Sequence, residues 1–433
     1  MKSYKSLIAI SVASALMALS GNAAASAFAL IEQSSGLGNA FAGGAAGAED
    51  ATTIFFNPAG MTRLKGDQVT VAASFIQPSI KFSNTGSTGA ALQTPGGNGG
   101  DAGGMVVVPN TYLVMELQPA LRFGLGINSP FGLQTQYDPT WIGRFQAIDS
   151  QIKTVNLNPS LAYEVNDKVS LGIGLNYQHI TGTLTSAVNY SAAIFAAGGG
   201  VVPNLEGVSA INGSDSAWGY NFGALFNLTP DTRVGVSYRS KINYNLTGTV
   251  AFSNVPGALA AQPALQNGNV TLPISMPDTF SISGFQQVND KWDVMADATR
   301  TGWSALQQLT VSRTNGSVLQ STPENWTNTW RYSVGTTYHY NEQWLARAGA
   351  AYDQSPVSDA FRTARIPDNN RTWLTVGGQY KISNASKVDF GYAHLFVKDT
   401  PIANNQTATG GGNLVGMYSS SIDIVSLQYA YNF

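Results

Sequence analysis

The chain has 433 residues, a formal net charge of −2, 11% charged residues, 46 glycines and no cysteine. That balance offers nucleic acid no basic face, and without cysteine neither disulfides nor a Cys/His metal centre can hold the fold. After residue 25 no apolar run is long enough for a spanning helix, and no charged or Pro-rich linker divides the chain.

Residues 1–25 read as a signal peptide. Lys2 and Lys5 precede a mostly apolar run from Leu7 to Leu19, and small residues suited to cleavage follow, after Ala25 or Ser26. A membrane anchor is the competing reading. Residues 26–66 do not alternate: "SGLGNAFAGGAAGAEDATTIFFNPAGM" is small, Gly-rich and apolar. A solvated tail would be more polar, so this segment must pack against something. Asn57 suits a helix N-cap, with Pro58 at the first helical position where its missing N–H costs nothing. Phe55 and Phe56 suit wedging against a wall. The segment reads as a plug, the alternative being an exposed periplasmic extension.

From residue 67 to 433 the period is two. "DQVTVAASFIQPSIKF" supplies a first strand. "LRFGLGIN" sets Phe123, Leu125 and Ile127 on one face, then meets Ser129, Pro130, Phe131 and Gly132. Pro130 has no N–H for a neighbouring strand and Gly132 tolerates unusual backbone angles. These four residues predict an inward kink and a lateral opening; alternatively, Pro130 ends the strand at an outer loop. In "KVSLGIGLNYQ" Val169, Leu171, Ile173, Leu175 and Tyr177 share a face, and in "AWGYNFGALFNL" Trp218, Tyr220, Phe222, Ala224, Phe226 and Leu228 do. "NWTNTWRYSVGTTYHY" puts Trp326, Trp330, Tyr332, Val334, Tyr338 and Tyr340 on one side. A soluble sandwich has strands nearer about five or six residues. These are longer, with aromatic ends like the girdles of a membrane barrel.

Turn residues at Gln118, Asn166, Thr229, Asn289, Asn341 and Ser383 are spaced by about 40–65 residues, room for two long strands and an outer loop. With the first strand and the last, "SIDIVSLQYAYNF", the sum is about fourteen. The predicted fold is an all-β membrane protein, an antiparallel transmembrane barrel with an N-terminal hatch in its lumen. Arg239, Asp293, Asp297, Arg331 and Arg347 fall on the Gly/Ser/Asn phase and should face the lumen. Arg300 falls on the lipid phase near the outer headgroups. Leu427, Tyr429, Tyr431 and Phe433 end the chain on the lipid phase, like the terminal signature recognised by barrel assembly machinery.

Catalytic signals are poor. The histidines are His179, His339 and His394, and no serine stands at a suitable offset from lipid-phase His179. "GLGNAFAGG" lacks the lysine and preceding strand of a phosphate loop. No catalytic residue, metal site or cofactor is expected. The outer loops are more informative. Ile194, Phe195, Val201, Val202, Leu205, Leu259 and Leu265 are apolar yet lie where the medium should be, and they suit a groove for an acyl chain. Mutual packing of the loops is the alternative.

The chain resembles the FadL family of outer-membrane transporters. "FALIEQSSGLGNAFAGGAAGAEDATTIFFNPAGMTRL" is similar to the family's hatch, with its Asn-Pro-Ala motif at Asn57, Pro58 and Ala59. "YRSKINYNLTGTV", "YDQSPV" and "RIPDNNRTWL" are similar to its strand and loop segments. The resemblance implies a fourteen-stranded barrel in the bacterial outer membrane that passes long-chain fatty acids, or similar hydrophobic molecules, by passive diffusion. A kinked third strand would give lateral exit. Expected partners are the hydrophobic ligand, outer-membrane lipids and the assembly machinery, with the barrel a monomer. Phe28 aligns with the family's buried N-terminal Phe. Where the fatty-acid member holds basic residues for the headgroup, this chain is neutral, near Ser186 and Thr327. The family also contains channels for monoaromatic hydrocarbons, whose substrates need no cation. Arg371 and Trp373 share the inward phase of their strand, which makes Arg371 a candidate headgroup partner; an ion pair with Asp353 or Asp368 is the alternative. Outside the family, a porin or adhesive barrel remains, and a porin should leave its lumen open and wet.

Overall fold

A computed structural model of the protein describes residues 27–33 and 35–433. The predicted signal peptide and its cleavage site lie outside the described residues. From residue 68 the chain forms a closed barrel of fourteen antiparallel strands. They are β1 (Gln68–Asn84), β2 (Val106–Gln118), β3 (Leu121–Asn128, continued by Gly132–Gln136), β4 (Asp149–Asn166), β5 (Val169–Asn189), β6 (Glu206–Asn227) and β7 (Thr232–Arg239, continued by Ile242–Phe252). Then come β8 (Gly268–Met276 and Thr279–Asn289), β9 (Trp292–Thr301 and Gln308–Arg313), β10 (Val318–Pro323 and Thr329–His339), β11 (Trp344–Asp353), β12 (Arg371–Lys381), β13 (Ser386–Val397 and Thr400–Gln406) and β14 (Gly412–Asn432). β14 pairs with the full length of β1, from Asn432 opposite Gln68 to Gly416 opposite Asn84, which removes both edges.

Alternation then sorts the side chains. Leu157, Leu161, Leu171, Ile173, Leu175, Phe222, Val334 and Leu427 stand exposed on the outer face. Such a band belongs in hydrocarbon, since water would penalise it by about 25 cal/mol per Å². The inner face carries amides that bond one another: Asn176 and Asn158 both donate to Asn221 Oδ1, each at 3.0 Å. The apolar band ends where Tyr177 packs against Trp218, with ring centroids 4.9 Å apart. Beyond these rings the exterior turns polar at His179, Ser216 and Asn243. Arg300, on the outer phase, meets Asp278 at 3.2 Å.

The N-terminal segment lies inside. After a 3-10 turn at Ser35–Asn39 come α1 (Gly44–Gly47), α2 (Thr53–Phe56) and a second 3-10 turn at Pro58–Arg63. Asn57 Oδ1 accepts from Ala59 N at 3.1 Å, while its Nδ2 donates to Ala45 O at 2.7 Å and to Ala224 O on the wall at 2.9 Å. One amide thus caps the turn and ties it to β6. The hatch backbone also comes close to the wall: a Cβ on Gly235 would lie 1.8 Å from Ala45 O. Short helices leave their last carbonyls without intrahelical partners, and wall arginines supply the donors. Arg233 Nε reaches Ala46 O at 3.1 Å, Arg239 Nη2 reaches Phe55 O at 3.0 Å, and Arg331 Nη2 reaches Ala40 O at 2.8 Å. Arg347 bridges Glu49 of the hatch at 2.6 Å and Asp389 of β13 at 2.7 Å.

Asp389 is fully buried, so Arg347→Met would strand its charge. The expected cost is about 3–5 kcal/mol, read as a lower unfolding midpoint in detergent with protease cutting appearing near Glu49. An unchanged midpoint would mean that the hatch is held elsewhere.

Candidate ligand cavity and wall opening

The ladder between β2 and β3 runs from the turn up to Thr111 opposite Ile127 and stops there. Above that level β2 still pairs with β1, and the second segment of β3 still pairs with β4, Gly132 opposite Lys153. The two strands therefore part from each other. Prolines stand on both margins, Pro109 and Pro130, and neither can donate across the gap. Sequence reasoning singled out Pro130 and missed Pro109, whose significance appears only once the register places it opposite the kink.

The groups freed at the kink are met by protein. Leu30 N donates to Pro130 O at 2.8 Å and Gly132 N donates to Phe28 O at 2.9 Å. These two bonds flank an antiparallel bridge between Ala29 and Phe131. Gln33 Nε2 donates to Ser129 O at 2.9 Å, and Asn110 Nδ2, from β2, donates to Glu32 O at 3.0 Å. On the β4 side, Phe131 N donates to Thr154 Oγ1 at 2.9 Å. Residues 28–33 thus lie as a slat across the parted strands. Gly132 begins an ordinary strand segment and uses no special backbone angle, contrary to expectation; the bend is absorbed at residues 129–131. The kink lies beside Val155 and Lys153, where the outer face of β4 turns from apolar to charged. Pro130 does not end its strand.

Phe28 anchors the slat. It is fully buried, with ring centroids 4.8 Å from Trp303, 5.5 Å from Trp326 and 6.2 Å from Phe131. The sequence pattern put Trp326 on the lipid face. The structure corrects this: β10 is interrupted at residues 324–328, the alternation restarts, and Trp326 turns inward with 1% exposure.

Below the aromatic cluster is a cavity of about 120 Å³. Phe41, Phe55 and Phe56 form its hatch side, and Pro130 and Phe131 border it at the kink. Its wall side carries Ser237, Thr279, Ser281 and Thr299, with Arg239, Asp297, Arg331 and Asp353. Arg239 also stacks on Phe55, 4.6 Å from the ring centroid. A smaller cavity of about 50 Å³ lies in the outer half, among Ile152, Ile180, Leu184, Ile211 and Leu246.

The remaining predicted residues fall elsewhere. Arg371 is buried and ion-paired with Asp368, its Nε 3.1 Å from Oδ1. The other oxygen of Asp368 accepts from Ala27 N at 2.9 Å and from Ser355 Oγ at 2.6 Å. Trp373 lies beneath Arg331, whose guanidinium carbon is 5.0 Å from the ring centroid. Neither Arg371 nor Trp373 borders the larger cavity. Ile194 and Phe195 sit on α3 (Tyr190–Ala196), which packs on the turn holding Leu259. Phe195 and Val202 are exposed, Leu259 is buried, and these loop residues with Leu205 border neither lumen cavity. His179 Nδ1 and Ser216 Oγ are 2.9 Å apart on the outer face. That pair is invisible along the chain because it forms across β5 and β6. Among the described residues no group of three or more His, Cys, Asp or Glu is placed to hold a metal.

A closed, hatch-filled barrel with an apolar outer band and an apolar cavity beside a parted wall has the architecture of a membrane channel. The chain belongs to the outer membrane protein transport protein family (OMPP1/FadL/TodX), whose profile matches residues 16–433. It is 30% identical to the long-chain fatty acid transport protein of Escherichia coli K12, over 90% of this chain and 91% of that protein. It is 31% identical to outer membrane protein P1 of Haemophilus influenzae, over 89% of each. Among solved structures, a Pseudomonas aeruginosa FadL homologue superposes with a TM-score of 0.86 at 29% identity, over 94% of this chain and 99% of that one. The Pseudomonas putida toluene transporter TodX shares the fold, with a TM-score of 0.67 at 21% identity, over 88% of this chain and 94% of that one. The protein is an outer-membrane barrel.

Phe28→Ala should loosen the slat without opening the barrel. Removing a buried ring costs about 3 kcal/mol or more, so exchange of the Leu30 and Gly132 amides should speed up about 100-fold, with strand amides unchanged. Equal protection in the variant would show that Phe28 does not hold the segment.

Proposed function

We propose that the protein takes up long-chain fatty acids or molecules of similar hydrophobic character by passive diffusion, releasing them sideways into the membrane. The observation that carries this is the parting of β2 from β3 beside an apolar cavity, with residues 28–33 lying across the gap. An apolar ligand leaving that way avoids water, where its surface would cost about 25 cal/mol per Å². Charged arginine struts hold residues 40–55 to the wall, whereas the slat's bonds are between uncharged groups except for that of Ala27 N to Asp368. Motion is therefore assigned to residues 27–33, with Phe28 as the ring that a ligand tail displaces and Phe55 and Phe56 as the fixed floor.

The division proposed is a signal peptide at 1–25, a hatch at 26–66 built on Asn57, Pro58 and Ala59, and a barrel at 67–433. Ile194, Phe195, Val202, Leu205 and Leu259 remain assigned to first contact with ligand at the outer mouth. Arg371 is assigned to holding the end of the slat through Asp368, and Trp373 to the apolar cluster that holds Leu30. Outer-membrane lipids receive the ligand, the assembly machinery reads the exposed C-terminal Phe433, and the barrel acts as a monomer. A second reading, passage of monoaromatic hydrocarbons, is favoured by size. The cavity of about 120 Å³ is near the roughly 150 Å³ in which a benzene ring sits, so a long chain needs the slat to move.

Ala29 and Phe131 are a non-hydrogen-bonded pair, as their flanking bonds show. Their Cα atoms should be about 4.5 Å apart, within reach of a disulfide. Ala29→Cys with Phe131→Cys should stop hydrophobic uptake when oxidised and restore it on reduction, in a barrel that assembles normally. Uptake through the oxidised protein would sink the lateral route.

A further inference from the structure

The charges around the cavity point to the form in which its ligand binds, an inference that rests on the proposed function. The charged residues lining the cavity are Arg239, Asp297, Arg331 and Asp353, two of each sign. Glu32 on the slat adds a third acid, its carboxyl buried with no hydrogen-bond partner on either oxygen. Arg239 is already engaged, and Arg331 is engaged in part. Arg239 donates to Asn176 Oδ1 and Phe55 O and stacks on Phe55. Arg331 donates to Ala40 O, stacks on Trp373, and stands directly across the strand pair from Asp353, although its Nε and Nη1 have no hydrogen-bond partner. Behind them Arg371 is taken by Asp368. A carboxylate arriving here would lose its hydration and meet at least as many acidic groups as basic ones.

We propose that the cavity binds its ligand uncharged: a fatty acid enters as the protonated acid, and neutral esters of the same chain are equally good ligands. The slat's own acid in this surrounding behaves accordingly: burial pushes Glu32 up to about 7. Desolvation acts the same way on a ligand carboxyl. A carboxyl whose pKa is higher when bound than when free binds best at low pH, and its affinity falls as pH rises toward the bound value.

The test is binding of oleate and methyl oleate to the purified barrel in detergent, between pH 6 and 8.5. Oleate affinity should fall by up to about tenfold per pH unit, methyl oleate should show no pH dependence, and at pH 8 the ester should bind at least as tightly as oleate. Glu32→Gln should leave the oleate profile in place, which assigns the titration to the ligand; a profile that vanishes in this variant overturns the proposal. Arg331→Gln should leave the oleate-to-ester ratio unchanged, and Arg331→Lys repeats the comparison if the first variant fails to assemble. Oleate binding ten times tighter than the ester at pH 8, with that preference lost on replacing Arg331, would overturn the proposal and make Arg331 an anion receptor. Failure of both probes to bind at any pH would overturn the proposed function along with it.

Discussion

The structure depends on one constraint: inside a membrane every backbone N–H and C=O must find a partner within the protein. Closure of β14 on β1 meets that demand for the strand edges. The demand is not met by the barrel alone where β2 and β3 part. There the N-terminal segment donates through Leu30 N and accepts through Phe28 O, so the wall is completed by a piece of chain that is not part of it. Because the segment substitutes for a strand, the wall and the hatch cannot be separated into a rigid container and a loose filling.

The lumen arginines follow from a related demand. A hatch made of four-residue helices has more terminal carbonyls than its own amides can satisfy. Arg233, Arg239 and Arg331 each place a planar cation against such carbonyls, and Arg233 and Arg239 also cover an aromatic ring, Phe285 and Phe55. Burying a guanidinium costs less when its donors are used. Arg239, used in this way, is poorly available to a ligand, and Arg331, with Nε and Nη1 unbonded, faces Asp353 across its strand pair, so the chemistry that holds the hatch also limits the chemistry of the cavity. Glycines enter the same design by absence: at Gly235 a side chain would occupy the space of the Ala45 carbonyl.

Much of this was legible in the chain. Period-two alternation depends only on the pleat, so strands, lumen charges and the lipid face could be read residue by residue. The six tight turns did the same for strand number. Asn57 and Pro58 are a local signal and behave as one, since a cap involves residues two apart. The kink at Pro130 was legible as a fault in the strand, because proline's missing N–H is a property of the residue itself.

What the sequence by itself determined was therefore whatever local geometry dictates: barrel class, inward and outward faces, the helix cap and the position of the kink. The tertiary structure decided everything that depends on register or on the meeting of distant segments. It chose Asp368 over Asp353 as the hydrogen-bonded partner of Arg371, set His179 beside Ser216, and turned Trp326 inward to Phe28. It also placed Pro109 opposite the kink and laid residues 28–33 across the gap. Each of these contacts joins residues whose proximity is created by strand pairing or by the return of the N-terminus into the lumen. No periodicity along one chain carries that information, because a side-chain pattern fixes which face a residue takes but not which neighbour it meets there.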